Sequence, residues 1–272
     1  MERGKHSGKV HTEGADIAYD CEGQGPLLLL VVGGNGDSRR YIELSSRLAD
    51  SYTVVRYDRR ASCRSSGDAA ADLDMAQQGR DAAALIRALA AGPAYVFGNS
   101  GGASIALALT EGHPELVRGL VVHEPPVMRI LPDADQQMAL VDGVYATYQA
   151  QGTGPAMRQF AMSLIGFSPS AAAPGDQGGN MDRFMAHEYL LIGRYLPDLG
   201  KIRRDGVPVI ACAGSASLDA YYARTAKVAA EILACPYVEI AGHHLAFVTD
   251  PDLFATELRS MLHRLSATEL PA

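Results

Sequence analysis

The chain has 272 residues, 47% of them hydrophobic, and a net charge of −7. That length and apolar content suit one large α/β domain with an insertion, and the acidic balance without any Lys/Arg-rich block argues against a nucleic-acid partner. The longest uninterrupted apolar run, residues 27–32, is far too short to span a bilayer, so no membrane association is expected.

In chain order, residues 1–8 are polar and glycine-rich and are expected to form a flexible tail. Residues 9–12 and 17–21, separated by Glu13-Gly14-Ala15-Asp16, have the turn chemistry of a β-hairpin. After the loop Gly23-Gln24-Gly25-Pro26, the apolar run 27–32 has the character of a strand buried on both faces. A helix is expected over 38–48, a strand over 52–57, a polar loop over 58–68, and a long Ala/Leu helix over 75–91 closed by Gly92-Pro93. A strand at 94–97 leads into a helix from residue 103, and another strand covers 119–122.

From 127 to 206 the pattern changes to Met, Gln, Ala and aromatic residues without a strand-like run, which predicts a helical cap with a mobile Gly/Pro/Ala-rich loop over 168–180. Alternation then resumes with a strand at 207–213, a helix over Tyr221–Leu233, a strand over Tyr237–Ile240 and a closing helix at 252–265. The domain division is therefore a tail at 1–8, a core made of 9–126 and 207–272, and a cap at 127–206. The predicted architecture is a mostly parallel, eight-stranded sheet flanked by helices.

Gly98-Asn99-Ser100-Gly101-Gly102 carries the chemistry. It reads G-x-S-x-G between a strand and a helix, a turn so tight that the positions two before and two after the serine must lack bulk. Such a turn lifts Ser100 off the sheet at a helix N-terminus, where free N–H groups favour developing negative charge. A serine hydroxyl needs a base, a group that orients the base, and oxyanion donors.

The order nucleophile, acid, histidine places the base late in the chain, and Gly242-His243-His244 follows the last strand. His244 is the preferred base, with His243 a turn residue. The first buried strand runs into Gly33-Gly34-Asn35-Gly36, so the oxyanion donors are assigned to the N–H of Gly101 and that of Gly34 or Asn35. A phosphate loop there is disfavoured, since neither G-x-G-x-x-G nor G-x-x-x-x-G-K-[ST] occurs. For the acid, Glu124 lies at the C-terminal end of a strand beside Pro125 and Pro126; the plainer reading makes it a solvated carboxylate or a partner of Arg129.

These segments, with Tyr57-Asp58-Arg59-Arg60 and the Pro251 that follows His244, resemble the α/β-hydrolase fold superfamily from end to end. Within it the chain is similar to the zearalenone lactonases, which also place a glutamate after the sixth strand in a His-Glu-x-Pro run. The usual acid of the superfamily follows the seventh strand in a Gly-x-x-Asp turn, and here that turn reads Gly214-Ser215-Ala216-Ser217. Asp219, two residues late, is expected to cap the next helix. The likeness fades in the cap, and the tryptophan that the lactonases set against their substrate has no counterpart, because the chain contains none. A serine nucleophile also sets aside haloalkane dehalogenases and epoxide hydrolases, which use aspartate.

The expected activity is hydrolysis of a carboxylic ester or lactone of a small, largely apolar molecule through an acyl-enzyme, with Ser100, His244 and Glu124 as the triad. The alternatives are hydrolysis of a carbon–carbon bond in a vinylogous diketone, or a non-catalytic small-molecule receptor on the same fold. Met128, Met157, Phe160, Met162, Phe167, Met185, Tyr189 and Tyr195 of the cap are expected to shape the substrate pocket. No metal or organic cofactor is implied. The four cysteines lack metal-ligand spacing, none of Asn35, Asn99 and Asn180 begins a glycosylation sequon, and residues 1–9 lack a signal-like apolar region, so a cytoplasmic location is expected. A homodimer is compatible with the sequence.

Overall fold

The computed structural model describes residues 4–90, 92–164 and 178–267. Eight strands form one sheet: β1 (His6–Thr12), β2 (Ala15–Gly23), β3 (Leu27–Val31), β4 (Thr53–Tyr57), β5 (Ala94–Asn99), β6 (Val117–His123), β7 (Val209–Gly214) and β8 (Tyr237–Ile240). Their spatial order is β1-β2-β4-β3-β5-β6-β7-β8. β1 and β2 pair antiparallel, β2 meets β4 antiparallel, and every later pairing is parallel.

β1 begins at His6, three residues inside the segment expected to be a tail. Its residues are polar, but they extend the ladder to Cys21, and the Tyr19 ring packs so closely over Gly8 that a Cβ there would lie 2.6 Å from the hydroxyl. Backbone pairing and an aromatic cover supply what an apolar side chain would otherwise provide.

The sheet is covered on both faces, and the strands divide their side chains with period two. Leu27, Leu29 and Val31 of β3 join one core; Leu28 and Leu30 join the other. The first core is closed by α2 (Met75–Leu89) and α3 (Gly101–Gly112), the second by α1 (Ile42–Leu48) and α11 (Pro251–Ala267). Each fully buried Leu or Val contributes roughly 1.5–3 kcal/mol of transfer free energy. The expected helix over 38–48 is two pieces, a 3₁₀ turn at Ser38–Tyr41 and then α1.

Between β6 and β7 the described residues form helices joined by short irregular stretches, with no strand among them. They include α4 (Ala134–Gln151), α5 (Thr153–Met162), α6 (Gly178–Arg183), a π-helical turn at Phe184–Glu188, α7 (Tyr189–Arg194) and α8 (Leu199–Asp205). Most of the expected mobile loop falls at 165–177, outside the described residues, and its last three residues open α6. α9 (Tyr221–Leu233) and the short α10 (Ala246–Thr249) complete the fold. No described helix is long and apolar enough to cross a membrane.

The strand order fixes where a ligand can enter. β3 is followed by β4 on one side, while β5 lies on its other side. This reversal opens a crevice beyond the C-terminal ends of β3 and β5. The two ends nevertheless approach very closely: a Cβ on Gly102 would lie 2.1 Å from the Val31 carbonyl oxygen, and one on Gly98 would lie 2.5 Å from that of Gly102. Gly102→Ala should therefore cost about 3 kcal/mol or more. Gly112→Ala, at a position with open space around it, should be neutral or stabilising by up to roughly 1 kcal/mol. Chemical denaturation of the two variants checks the contrast; equal stabilities would show that the close approach is not required.

Candidate active site

Ser100 occupies the turn between β5 and α3 at φ 56°, ψ −132°, a sparsely populated conformation for a residue with a side chain. Its N–H donates to the His123 carbonyl (3.0 Å), and its own carbonyl accepts from Ala103 N–H (2.8 Å), which anchors the turn from both sides. Gly33 lies directly against the helix start: a Cβ there would be 3.1 Å from Gly101 N and 3.0 Å from Gly102 N. The end of β3 and the N-terminus of α3 thus meet with no side chain between them.

Glu124 follows β6 at φ 52° and is fully buried. Its backbone N–H donates to the Cys212 carbonyl at 3.1 Å. Its Oε1 accepts from the N–H of Gly214 at 2.8 Å, and its Oε2 lies 2.6 Å from His244 Nδ1. Burial pushes this carboxyl upward, but the neighbouring His123 and the hydrogen bond and attraction from His244 outweigh it and hold it at about 2, with a smaller contribution from Ser217. An ionised carboxylate only accepts, so His244 carries its proton on Nδ1 and leaves Nε2 as the basic nitrogen. The His244 ring also packs on Tyr222, centroid to centroid 4.4 Å.

Asn99, the variable residue of the G-x-S-x-G turn, ties this arrangement together. Its Nδ2 donates to the His244 carbonyl (3.1 Å) and to His123 Nδ1 (2.9 Å). The carbonyl requires a donor, which fixes the amide orientation and makes His123 Nδ1 an acceptor. His123 consequently keeps its hydrogen on Nε2, 3.9 Å from Glu124 Oε2. Complete burial lowers His123 to about 4, against the opposing pull of Glu124, so the ring is neutral near pH 7.

A cavity of about 240 Å³ opens at Ser100 and His244, walled by Gly34, Asn35, Arg40, by Met157, Phe160 and Ala161 of α5, and by Leu164 just beyond it. A second recess of about 40 Å³ meets it at Ser100 and Gly34 and is bordered by Gly101, Met128 and Tyr189. The helical segment is tied to the loop after β3 by a buried ion pair: Arg59 Nη2 donates to Glu188 Oε2 (2.5 Å) in the π-helical turn and to the Gly34 carbonyl (2.6 Å).

The geometry and the comparisons converge. A family model for the alpha/beta hydrolase fold matches residues 26–179. The chain belongs to the α/β-hydrolase fold family. An uncharacterized hydrolase of Bacillus subtilis (strain 168), YraK, is 29% identical over 266 residues, 95% of this chain and 97% of that protein. A zearalenone hydrolase of Cladophialophora bantiana is 31% identical over 118 residues, 42% of this chain and 44% of that protein, a distant and partial likeness. A thermophilic esterase from Thermogutta terrifontis superposes with a TM-score of 0.75 at 19% identity, over 96% of this chain and 99% of that one, which speaks for a shared fold.

In this α/β-hydrolase the residues picked from sequence fall into three groups. Ser100, His244, Glu124, Gly34, Asn35 and Gly101 converge at the ends of β3, β5 and β6 and in the loop after β8. Met157 and Phe160 line the larger cavity, while Met128 and Tyr189 line the recess. Met185 does not line either: it is buried in the core, and the preceding Phe184 faces the cavity, because successive helical residues point about 100° apart. Met162 is 86% exposed at the end of α5, and the Tyr195 hydroxyl donates to Glu111 Oε2 (3.2 Å) away from the site. Phe167 lies outside the described residues.

Asp219 does not cap α9: the residue before that helix is Ala220, which has no side-chain cap, and Asp219 stands exposed 3.9 Å from Arg224. Among the described residues Asp37, Asp58 and Cys63 come close enough to share a cation. Their carboxylates are already taken, Asp37 by Arg39 and Asp58 by Arg64 and Ser38.

The lowered His123 value has a consequence for stability. Between pH 6.5 and about 4 the unfolded chain binds a proton at this residue and the folded chain does not. Its contribution is complete above pH 6.5 and declines as the pH falls toward 4, by on the order of 3 kcal/mol. Glu124 adds a further loss as the pH falls from the ordinary carboxylate range toward 2. Urea unfolding at stepped pH should give His123→Leu a shallower decline between pH 6.5 and 4 than the parent; an unchanged slope would contradict the assignment.

Proposed function

We propose that this α/β-hydrolase is a serine hydrolase that cleaves a carboxylic ester or lactone of a small, largely apolar molecule. The observation that carries the reading is the fully buried Glu124–His244 hydrogen bond beside a cavity that His244 shares with Ser100. A carboxylate removed from water and aimed at one imidazole nitrogen fixes the tautomer and stabilises the imidazolium that forms when the other nitrogen takes a serine's proton.

In the proposed reaction Ser100 Oγ attacks the carbonyl carbon while His244 Nε2 takes its proton. The oxyanion forms against the N–H of Gly101 and that of Gly34 or Asn35, at the positive end of α3. His244 returns the proton to the departing alkoxide, leaving the acyl group on Ser100. Water, deprotonated by His244, then releases the acid and restores the serine. Glu124 holds the tautomer and stabilises the imidazolium without taking the proton. The helical segment acts as a cap, and the unequal cavities on either side of Ser100 supply room for the two halves of an ester.

Ser100→Ala should abolish hydrolysis of 4-nitrophenyl acetate with the fold intact, and activity near the parent's would contradict the triad. Glu124→Gln should lower kcat by roughly 10²–10⁴-fold, whereas Asp219→Ala should stay within about two-fold. A large loss confined to the Asp219 variant would reassign the acid.

A further inference from the structure

Arg40 stands apart from the other arginines near the site. It lies in the 3₁₀ turn directly after the oxyanion loop and lines the same cavity as Ser100 and His244. Its Nη1 is 3.8 Å from the point where a Cβ on Gly34 would sit, so the guanidinium borders the proposed oxyanion site.

Its neighbours are neutralised and it is not. Asp37, three residues before it, gives both carboxylate oxygens to Arg39, with contacts of 2.6, 2.9 and 3.0 Å, and Glu43, three residues after it, pairs with Arg47 at 2.7 Å. Asp58 is held by Arg64 at 2.6 Å, and Arg59 is paired with Glu188. Among the described residues no carboxylate pairs with Arg40, and its Nε is buried without a hydrogen-bond partner. Burial lowers its pKa, against the weaker pull of Asp37, yet an arginine stays charged under such a shift. Every other described residue lining the cavity is apolar or uncharged apart from the titratable His244.

An unpaired cation in a largely apolar cavity carries a desolvation cost that a bound anion would offset. Guanidinium geometry matches a carboxylate, whose two oxygens accept from a planar pair of N–H donors. We infer that the substrate carries a carboxylate, which pairs with Arg40 and holds the acyl side of the ester beside the oxyanion loop. The inference rests on the ester-hydrolase reading and narrows it to half-esters of dicarboxylic acids and similar carboxylate-bearing esters. The acyl chain must keep its carboxylate a few carbons from the scissile carbonyl, because an anion placed against the oxyanion would oppose its formation.

Monomethyl glutarate and methyl pentanoate share an acyl length and differ in a terminal carboxylate against a methyl group. Their hydrolysis, followed by pH-stat, should give a kcat/KM ratio of at least about ten in favour of the glutarate. Arg40→Gln should bring that ratio to one or below, and Arg40→Lys should restore part of it. A parent ratio near one overturns the inference, as does a ratio that Arg40→Gln leaves unchanged, the result expected if Arg40 acted on the oxyanion or on structure alone. Calorimetric binding of monomethyl glutarate to Ser100→Ala, with and without Arg40→Gln, decides the point without turnover. A loss of affinity of ten-fold or more supports the carboxylate site, and absent or equal binding overturns it. If neither ester is hydrolysed while binding still depends on Arg40, the hydrolase reading fails and the anion site stands.

Discussion

The buried hydrogen bond between Glu124 and His244 is the constraint around which the site is organised. A carboxylate with no exposure to water persists in its ionised form only when enough donors face it. Gly214 supplies one from the backbone, His244 supplies another, and His123 stands beside both with its hydrogen on the near nitrogen. Glu124 reaches this position from a left-handed backbone conformation, and its own N–H is held by β7. Strain of this kind costs about 1–3 kcal/mol and persists only where the surroundings enforce it. Ser217, at the turn where the fold's usual acid would stand, carries no carboxylate and instead turns its buried hydroxyl toward Glu124.

Ser100 depends on a separate steric condition. The approach of α3 to the end of β3 leaves no volume for side chains at Gly33, Gly98 or Gly102, and this contact sets the helix N-terminus beside the Gly33–Gly36 loop. Asn99 joins the two conditions, since one amide nitrogen anchors the backbone of the proposed base and the ring beside the acid. The Arg59–Glu188 pair carries the organisation outward by linking the carbonyl of Gly34 to the π-helical turn that holds Phe184 against the cavity. Loss of Glu188 would leave Arg59 as an uncompensated buried charge, whereas Glu188 also faces Arg183 at 3.4 Å, so the position of the helical segment and the shape of the Gly33–Gly36 loop are coupled through Arg59.

The sequence was most legible where the backbone imposes the residue type. G-x-S-x-G, the glycines after β3, and the histidine after the last strand are demanded by close approach and chain order, and the structure brings those residues together. Glu124 drew notice because the Gly214–Ser217 turn lacks the usual aspartate and the preceding strand ends on a carboxylate that could reach His244; the structure sets the two side chains 2.6 Å apart. The strands buried on both faces announced themselves as apolar runs, whereas β1 did not, because its first residues are held by pairing and by the Tyr19 ring. The helical segment was legible as helix but not in rotational phase: the π-helical turn sends Phe184 to the cavity and Met185 to the core. Asn99 and Arg40 were missed, since a motif's variable position and an arginine in a surface-like helix carry no signal until their neighbours are known. The acids on either side of Arg40 make the same point, because only the fold reveals that Arg39 takes Asp37 and Arg47 takes Glu43.

The central claim is that Ser100 is a nucleophile activated through His244 by the buried Glu124. Stoichiometric labelling with diisopropyl fluorophosphate, located by peptide mass spectrometry and timed in the parent and in Glu124→Gln, tests it most directly. One adduct is expected, on the peptide carrying Ser100, formed much more slowly in the variant. Labelling at another residue, or an equal rate in both proteins, would contradict it.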